Sequence, residues 1–175
     1  MSKKIVVITG SPRAKGNSNT IAAAFMSGAM AAGNEVEVFD TTKAKLGGFM
    51  GTDCKEDRER LEKLLGWADV MILVSPLYWK GFSAQIKLAI DGCFVQYLSP
   101  NGREKLSVKE IGLIATGKSP DGFSFYPMVE EYKHICEMLG LENKFTLLCP
   151  CLAGEGDVEK RPILLETAVK YGMEI

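Results

Sequence analysis

Only one histidine occurs in the 175 residues, His134. It sits in an expected helix at Tyr132-Lys133-His134-Ile135. No histidine pairing is on offer, so Ser-His and Cys-His hydrolytic mechanisms are excluded. Basic excess is missing too: 21 Lys and Arg stand against 22 Asp and Glu, a formal charge of −1. Nucleic-acid binding needs a basic face, and this balance supplies no case for one. No apolar run approaches the roughly 18–20 residues of a membrane span. The opening Met1-Ser2-Lys3-Lys4 leads into an apolar strand too short for a signal-peptide core. Five cysteines, an odd number, mostly fall in regular elements, which argues against a disulfide framework and for a reducing compartment. The expected location is cytoplasmic.

What is present is ordinary globular composition, 46% hydrophobic and 25% charged, at a length that suits one domain over residues 1–175. Buried β-branched runs alternate with helical patterns. Lys3–Thr9, Glu35–Asp40, Asp69–Ser75, Glu110–Thr116 and Lys144–Cys149 read as strands, the fourth broken by Gly112. Asn19–Ala32, Lys55–Gly66, Ala84–Tyr97, Tyr126–Leu139 and Val158–Tyr171 read as helices, the first with Gly33 as its stop. Thr41–Asp53 is irregular, and Ser99–Lys109 reads as a polar loop. Five β-α repeats predict an α/β doubly wound parallel sheet in the flavodoxin-like order 2-1-3-4-5, with helices on both faces. Ligands of such sheets bind beyond the carboxyl ends of the strands, where strand order reverses. Attention therefore falls on the loops after Thr9 and Val74.

The first loop, Gly10-Ser11-Pro12-Arg13-Ala14-Lys15-Gly16-Asn17-Ser18-Asn19-Thr20, holds hydroxyls, amides, two cations and no carboxylate. Asn17, Ser18 or Asn19 is expected to cap the following helix. A helix start with spare N–H groups and Arg13 beside it makes an anion site suited to phosphate. The loop lacks the Gly-Lys-Ser/Thr ending of the Walker pattern and the spacing of the dinucleotide fingerprint. The second loop, Ser75-Pro76-Leu77-Tyr78-Trp79-Lys80-Gly81-Phe82-Ser83-Ala84-Gln85, is unusual for its apolar and aromatic content, which points to a flat ligand or a partner surface. Gly81 is expected to let backbone approach closely, and Ser83 to cap the next helix.

Gly-Ser-Pro-Arg-x-x-Gly-Asn-Ser together with Ala-Asp-(five apolar)-Ser-Pro-Leu-Tyr-Trp-x-Gly-x-Ser-Ala-Gln-Ile-Lys, over Ala68–Lys87, resembles the NADPH-dependent FMN reductase family of flavodoxin-like proteins and its iron–sulfur flavoprotein relatives. The resemblance covers at least the first 120 residues, and beyond Gly122 it is one of strand and helix pattern. It implies that Ser11, Arg13, Asn17 and Ser18 hold the FMN phosphate. Pro76, Leu77, Tyr78, Trp79 and Gly81 would cradle the ring, with Thr116 and Gly117 lining its other side. It further implies a homodimer and electron transfer from NAD(P)H through FMN to a small acceptor: a quinone, azo or nitro compound, metal ion or free flavin. No catalytic side chain is assigned, since the flavin carries the chemistry. The alternatives are an FMN electron carrier without small-molecule turnover, and a non-catalytic binding module on the same fold.

Three features depart from the family pattern. The segment Gly48–Cys54 keeps a three-residue spacing at Gly48, Gly51 and Cys54 but only one thiol, whereas a four-iron cluster needs about four; no metal and no iron–sulfur cluster are expected. Asp91-Gly92 stands where the family commonly has Asp-Arg. Cys149-Pro150-Cys151 lies on the ligand side of the fifth strand but lacks a standard redox spacing, so two small residues closing a strand is the simpler account.

Overall fold

β-Branched runs buried on both faces pair in parallel, because only helices on each side keep both faces dry. The computed structural model describes residues 2–49, 51 and 54–175. Its strands are β1 (Lys4–Thr9), β2 (Glu35–Asp40), β3 (Val70–Pro76), β4 (Glu110–Thr116) and β5 (Glu142–Cys149). They form one parallel sheet in the order β2-β1-β3-β4-β5. Central β3 is buried along its whole length, whereas edge strand β2 alternates between exposed and partly covered positions up to Phe39, which is buried.

Helices α1 (Asn17–Ala31) and α6 (Pro162–Glu174) cover one face; α2 (Lys55–Trp67), α3 (Ala84–Cys93) and α5 (Tyr126–Leu139) cover the other. The two-residue period of the strands sorts the core accordingly. Ile5, Val7 and Ile72 meet Phe25 and Ala168 on the first face, while Val6, Ile8 and Leu73 join Leu61, Ile86 and Tyr132 on the second. Contact between α1 and α6 runs backbone to backbone. A Cβ at Gly28 would stand 2.1 Å from the Val169 carbonyl oxygen, and one at Gly172 2.1 Å from that of Phe25. Neither carbonyl can yield without separating the helices.

Several boundaries differ from the sequence reading for local reasons. β4 is not broken at Gly112; the strand runs through, and its pairing with β5 shifts register there. The missing side chain makes room for the Phe145 ring, whose Cε1 would lie 2.6 Å from an added Cβ. Ser99–Lys109 is not simply a polar loop. Ser99 caps a short helix α4 (Pro100–Arg103), and Leu106 and Val108 are buried. α3 ends at Cys93 and tightens into a 3-10 turn over Phe94–Leu98, and α6 starts at Pro162 behind another over Asp157–Lys160. Asp91 and Glu131 both bind Lys87, at 2.8 and 2.9 Å, tying α3 to α5. Gly92 accommodates the Gly47 carbonyl, 2.3 Å from an added Cβ, and its own carbonyl accepts from the Arg58 guanidinium. A side chain at 92 would thus displace the segment after β2.

Within the irregular Thr41–Asp53 stretch, Met50, Thr52 and Asp53 lie outside the described residues, as does Met1. Among the described residues no helix is long and apolar enough to cross a membrane.

Candidate functional site

The loops after β1, β3, β4 and β5 meet at the carboxyl edge of the sheet around a cavity of about 240 Å³. Nine of the eleven sequence-predicted residues line it: Ser11, Arg13, Asn17, Ser18, Pro76, Leu77, Tyr78, Thr116 and Gly117. Trp79 and Gly81 do not. They belong to the turn that extends from Tyr78.

The start of α1 departs from expectation. Its N-cap is Gly16, in extended conformation, and no side chain caps the helix. Asn17, Ser18 and Asn19 are otherwise engaged. Asn17 Nδ2 donates to the Gly154 carbonyl (2.8 Å), and its Oδ1 accepts from the Val158 N–H (3.1 Å). Ser18 Oγ lies 2.6 Å from Thr116 Oγ1, pinning the loop to the end of β4. Asn19 Nδ2 donates to the Arg13 carbonyl (2.9 Å). Among the described residues, the first N–H groups of the helix, at Asn17 and Ser18, therefore have no partner and suit an anion from outside the chain. Ser11 supplies a hydroxyl, Arg13 a guanidinium, and among the described residues no carboxylate lines the cavity.

After β3, Leu77 N–H donates to the Thr116 carbonyl (2.7 Å), continuing the sheet into the site. Ser75 Oγ accepts from the Ser83 N–H (2.9 Å), and Ser83 Oγ caps α3 by accepting from the Ile86 N–H (3.3 Å), as the sequence suggests. Between them Tyr78 and Gly81 exchange both backbone hydrogen bonds, at 3.1 and 2.9 Å. This two-residue hairpin puts Trp79 (φ 51°) and Lys80 (φ 65°) in the left-handed region, which Asn-Gly normally occupies. Such backbone stores roughly 1–3 kcal/mol per residue. The exchange also consumes the Tyr78 and Gly81 N–H groups, leaving those of Trp79 and Lys80 as the turn's spare donors. The Trp79 side chain is fully solvent-exposed. Gly81 needs no special freedom: a Cβ there would meet only the Tyr78 carbonyl oxygen, at 3.8 Å.

Sequence reasoning missed the remaining wall. Leu152 and Ala153, after β5, line the cavity beside Lys118. Gly117 N–H donates to the Cys149 carbonyl (3.0 Å), and Leu152 N–H to that of Gly117 (2.9 Å). Asp157 gathers the loop by accepting from the Gly154 (2.6 Å) and Ala153 (3.1 Å) N–H groups. Those bonds, the Gly154 N–H first, hold its carboxyl below the usual range, with Lys160 assisting. A Gly-x-Gly-Asp run at Gly154–Asp157 was the available sign of an ordered turn.

Cys149 and Cys151 do not form a disulfide. Cys149 is fully buried, and burial pushes its thiol up to about 12, so the thiolate needed for redox exchange is suppressed. Cys151 points to solvent. His134 lines a separate apolar groove between α3 and α5. Of the Gly48–Cys54 segment, Met50, Thr52 and Asp53 lie outside the described residues, and among the described residues no three His, Cys, Asp or Glu side chains gather as a metal site.

The donor set fits FMN: unused N–H groups, a hydroxyl and a guanidinium at one end, and the apolar faces of Leu77, Tyr78 and Leu152 at the other. Comparison with known proteins agrees. The family described as NADPH-dependent FMN reductase matches over residues 3–126. The Bacillus subtilis protein YwqN, named as an NAD(P)H-dependent FMN-containing oxidoreductase, is 26% identical over 163 residues, covering 88% of this chain and 86% of that one. An iron–sulfur flavoprotein of Methanocaldococcus jannaschii, MJ1083, is 30% identical over 128 residues, 68% of this chain and 64% of its own. Among solved structures, the NAD(P)H:quinone oxidoreductase from Methanothermobacter marburgensis superposes with a TM-score of 0.81 at 18% identity, over 99% of this chain and 97% of that one; that likeness speaks for the fold.

Proposed function

The chain belongs to the NADPH-dependent FMN reductase family, and from that premise we propose that the cavity at the carboxyl edge of the sheet is the FMN site of an oxidoreductase that passes electrons from NAD(P)H to a small acceptor. Quinones and azo compounds are the leading classes. FMN, when bound, supplies the two-electron chemistry that joins nicotinamide to acceptor.

The chain's own residues bind and orient. Ser11, Arg13 and the N–H groups of Asn17 and Ser18 hold the phosphate. The side chains of Asn17 and Ser18 act one step back, fixing the loop to Gly154, Val158 and Thr116. Pro76, Leu77 and Tyr78 flank the ring on one side; Thr116, Gly117 and Leu152 flank it on the other and keep water from its buried edge. Trp79 and Gly81 stand in the hairpin at the mouth, where the spare Trp79 and Lys80 N–H groups face incoming charge. No side chain is assigned an acid or base role.

The observation that carries this reading is the uncapped start of α1 opening into an acid-free cavity with an apolar far wall. The absorbance spectrum of the purified protein tests it. Bands of bound flavin, present on purification or after adding FMN, are expected, together with NAD(P)H oxidation when a quinone is supplied. A colourless protein that takes up no FMN refutes the reading. The homodimer implied by the family resemblance is part of the proposal; the open apolar groove between α3 and α5, of about 350 Å³, is the kind of surface such a contact covers. Sedimentation equilibrium decides it.

A further inference from the structure

Among the described residues, eight of the sixteen lysines take part in ion pairs: Lys3, Lys43, Lys55, Lys87, Lys133, Lys144, Lys160 and Lys170. The cations at the candidate site are among those that do not. Arg13 and Lys118 line the cavity, Lys80 stands at the hairpin tip two residues beyond cavity-lining Tyr78, and none of the three has a carboxylate partner among the described residues. Arg13 and Lys118 thus stand in a lining that holds no carboxylate among the described residues. Arg13 belongs to the phosphate end in the reading above. Lys80 and Lys118 are left over.

These two lysines lie on facing loops. The charge of Lys80 is felt at Asp121, three residues after Lys118, and helps keep that carboxyl below its usual range; the hydrogen bond from the Ser124 N–H is the larger cause. Asp121 is itself occupied by Ser124 and Ser119. The same loops expose rings. Tyr78 is half-exposed and Trp79 is fully exposed on a strained turn; Phe123, exposed on the loop after β4, lines a neighbouring groove with Tyr126, Val129 and Leu148. Exposed aromatic side chains, one of them on a strained turn, beside cations that form no ion pair suit a ligand that is flat and negatively charged.

We propose that the acceptor is a planar aromatic oxidant bearing an anionic group, a sulfonate or carboxylate, whose ring seats against the exposed aromatics and whose charge is met by Lys80 and Lys118. This rests on the flavin reading and deepens it. For a sulfonated quinone, NAD(P)H gives up two electrons and one proton and solvent gives the second proton. The quinone becomes the hydroquinone, NAD(P)⁺ leaves, and the sulfonate is unchanged.

The test uses the FMN-loaded protein and its Lys80→Gln/Lys118→Gln variant; glutamine removes charge while keeping a long polar side chain. Two readouts are taken: kcat/KM for naphthoquinone sulfonate against neutral menadione, and Kd for non-reducible naphthalene sulfonate against naphthalene methanol. The double variant is expected to lower the sulfonate-to-neutral ratio about tenfold in both, with the wild-type preference shrinking as salt is raised. Equal ratios in wild type and variant, or wild-type preference for the neutral probes, overturn the proposal. A protein that never loads FMN fails the earlier reading instead, so the two failures are distinct.

Discussion

Replacing Trp79-Lys80 by Asn-Gly measures the strain held in the hairpin. Both central residues have positive φ, 51° and 65°, and a left-handed L-residue costs roughly 1–2 kcal/mol. Asn-Gly is the favoured pair for this turn, so the hairpin should persist. No packing is lost at position 79, because the indole is fully exposed. Glycine returns some of the gain by loosening the unfolded chain, about 0.5–1 kcal/mol. The net expectation is a stabilisation of about 1–2 kcal/mol, or about 2–8 °C in Tm for a chain this size. Thermal melting of the cofactor-free protein reads it directly. Turnover of the acceptor should fall in the same variant, since an exposed ring and a cation have gone. An unchanged or lowered Tm would refute the claim that the turn is strained.

Other expectations are as direct. Arg13→Ala should weaken FMN by about 10–100-fold, the range of one charge-assisted hydrogen bond; a flavin fluorescence titration that shows equal affinity removes Arg13 from the phosphate site. Gly172→Ala should destabilise by about 1–3 kcal/mol, although alanine is the better helix former, because the added methyl meets the Phe25 carbonyl; a raised melting temperature contradicts the close helix contact. With a thiol reagent at mildly alkaline pH, Cys151 should react in the native protein and Cys149 only on unfolding, followed by peptide mapping. For Cys149 the folded thiol lies above the unfolded one, so its effect on stability is nil below about pH 9 and becomes unfavourable as pH rises from there toward about 12, where only the unfolded chain ionises.

Sheet order and the cavity at the carboxyl edge were legible because they follow from short-range pattern. Buried β-branched runs separated by helices leave few topologies, and reversal of strand order marks the ligand edge. The same holds for Ser83, whose capping partner is three residues away. What stayed hidden depends on partners far along the chain. Asn17 read as a helix cap or phosphate ligand, yet its amide serves Gly154 and Val158. The wall at Leu152 and Ala153 carries no motif, and only the arrival of β5 beside β4 brings it to the cavity. Gly92 and Gly172 look interchangeable with alanine until the Gly47 and Phe25 carbonyls are placed against them.

The bonds that hold the first loop span 98 residues from Ser18 to Thr116 and 141 from Asn17 to Val158. Closing contacts of such separation carries a loop-entropy cost, so this loop is expected to mature late on the folding route. FMN would therefore find its seat after the rate-limiting assembly of the sheet. Its binding would slow escape from the native state and leave the refolding rate almost untouched. Supply of the cofactor would then set how long each molecule survives rather than how quickly it forms.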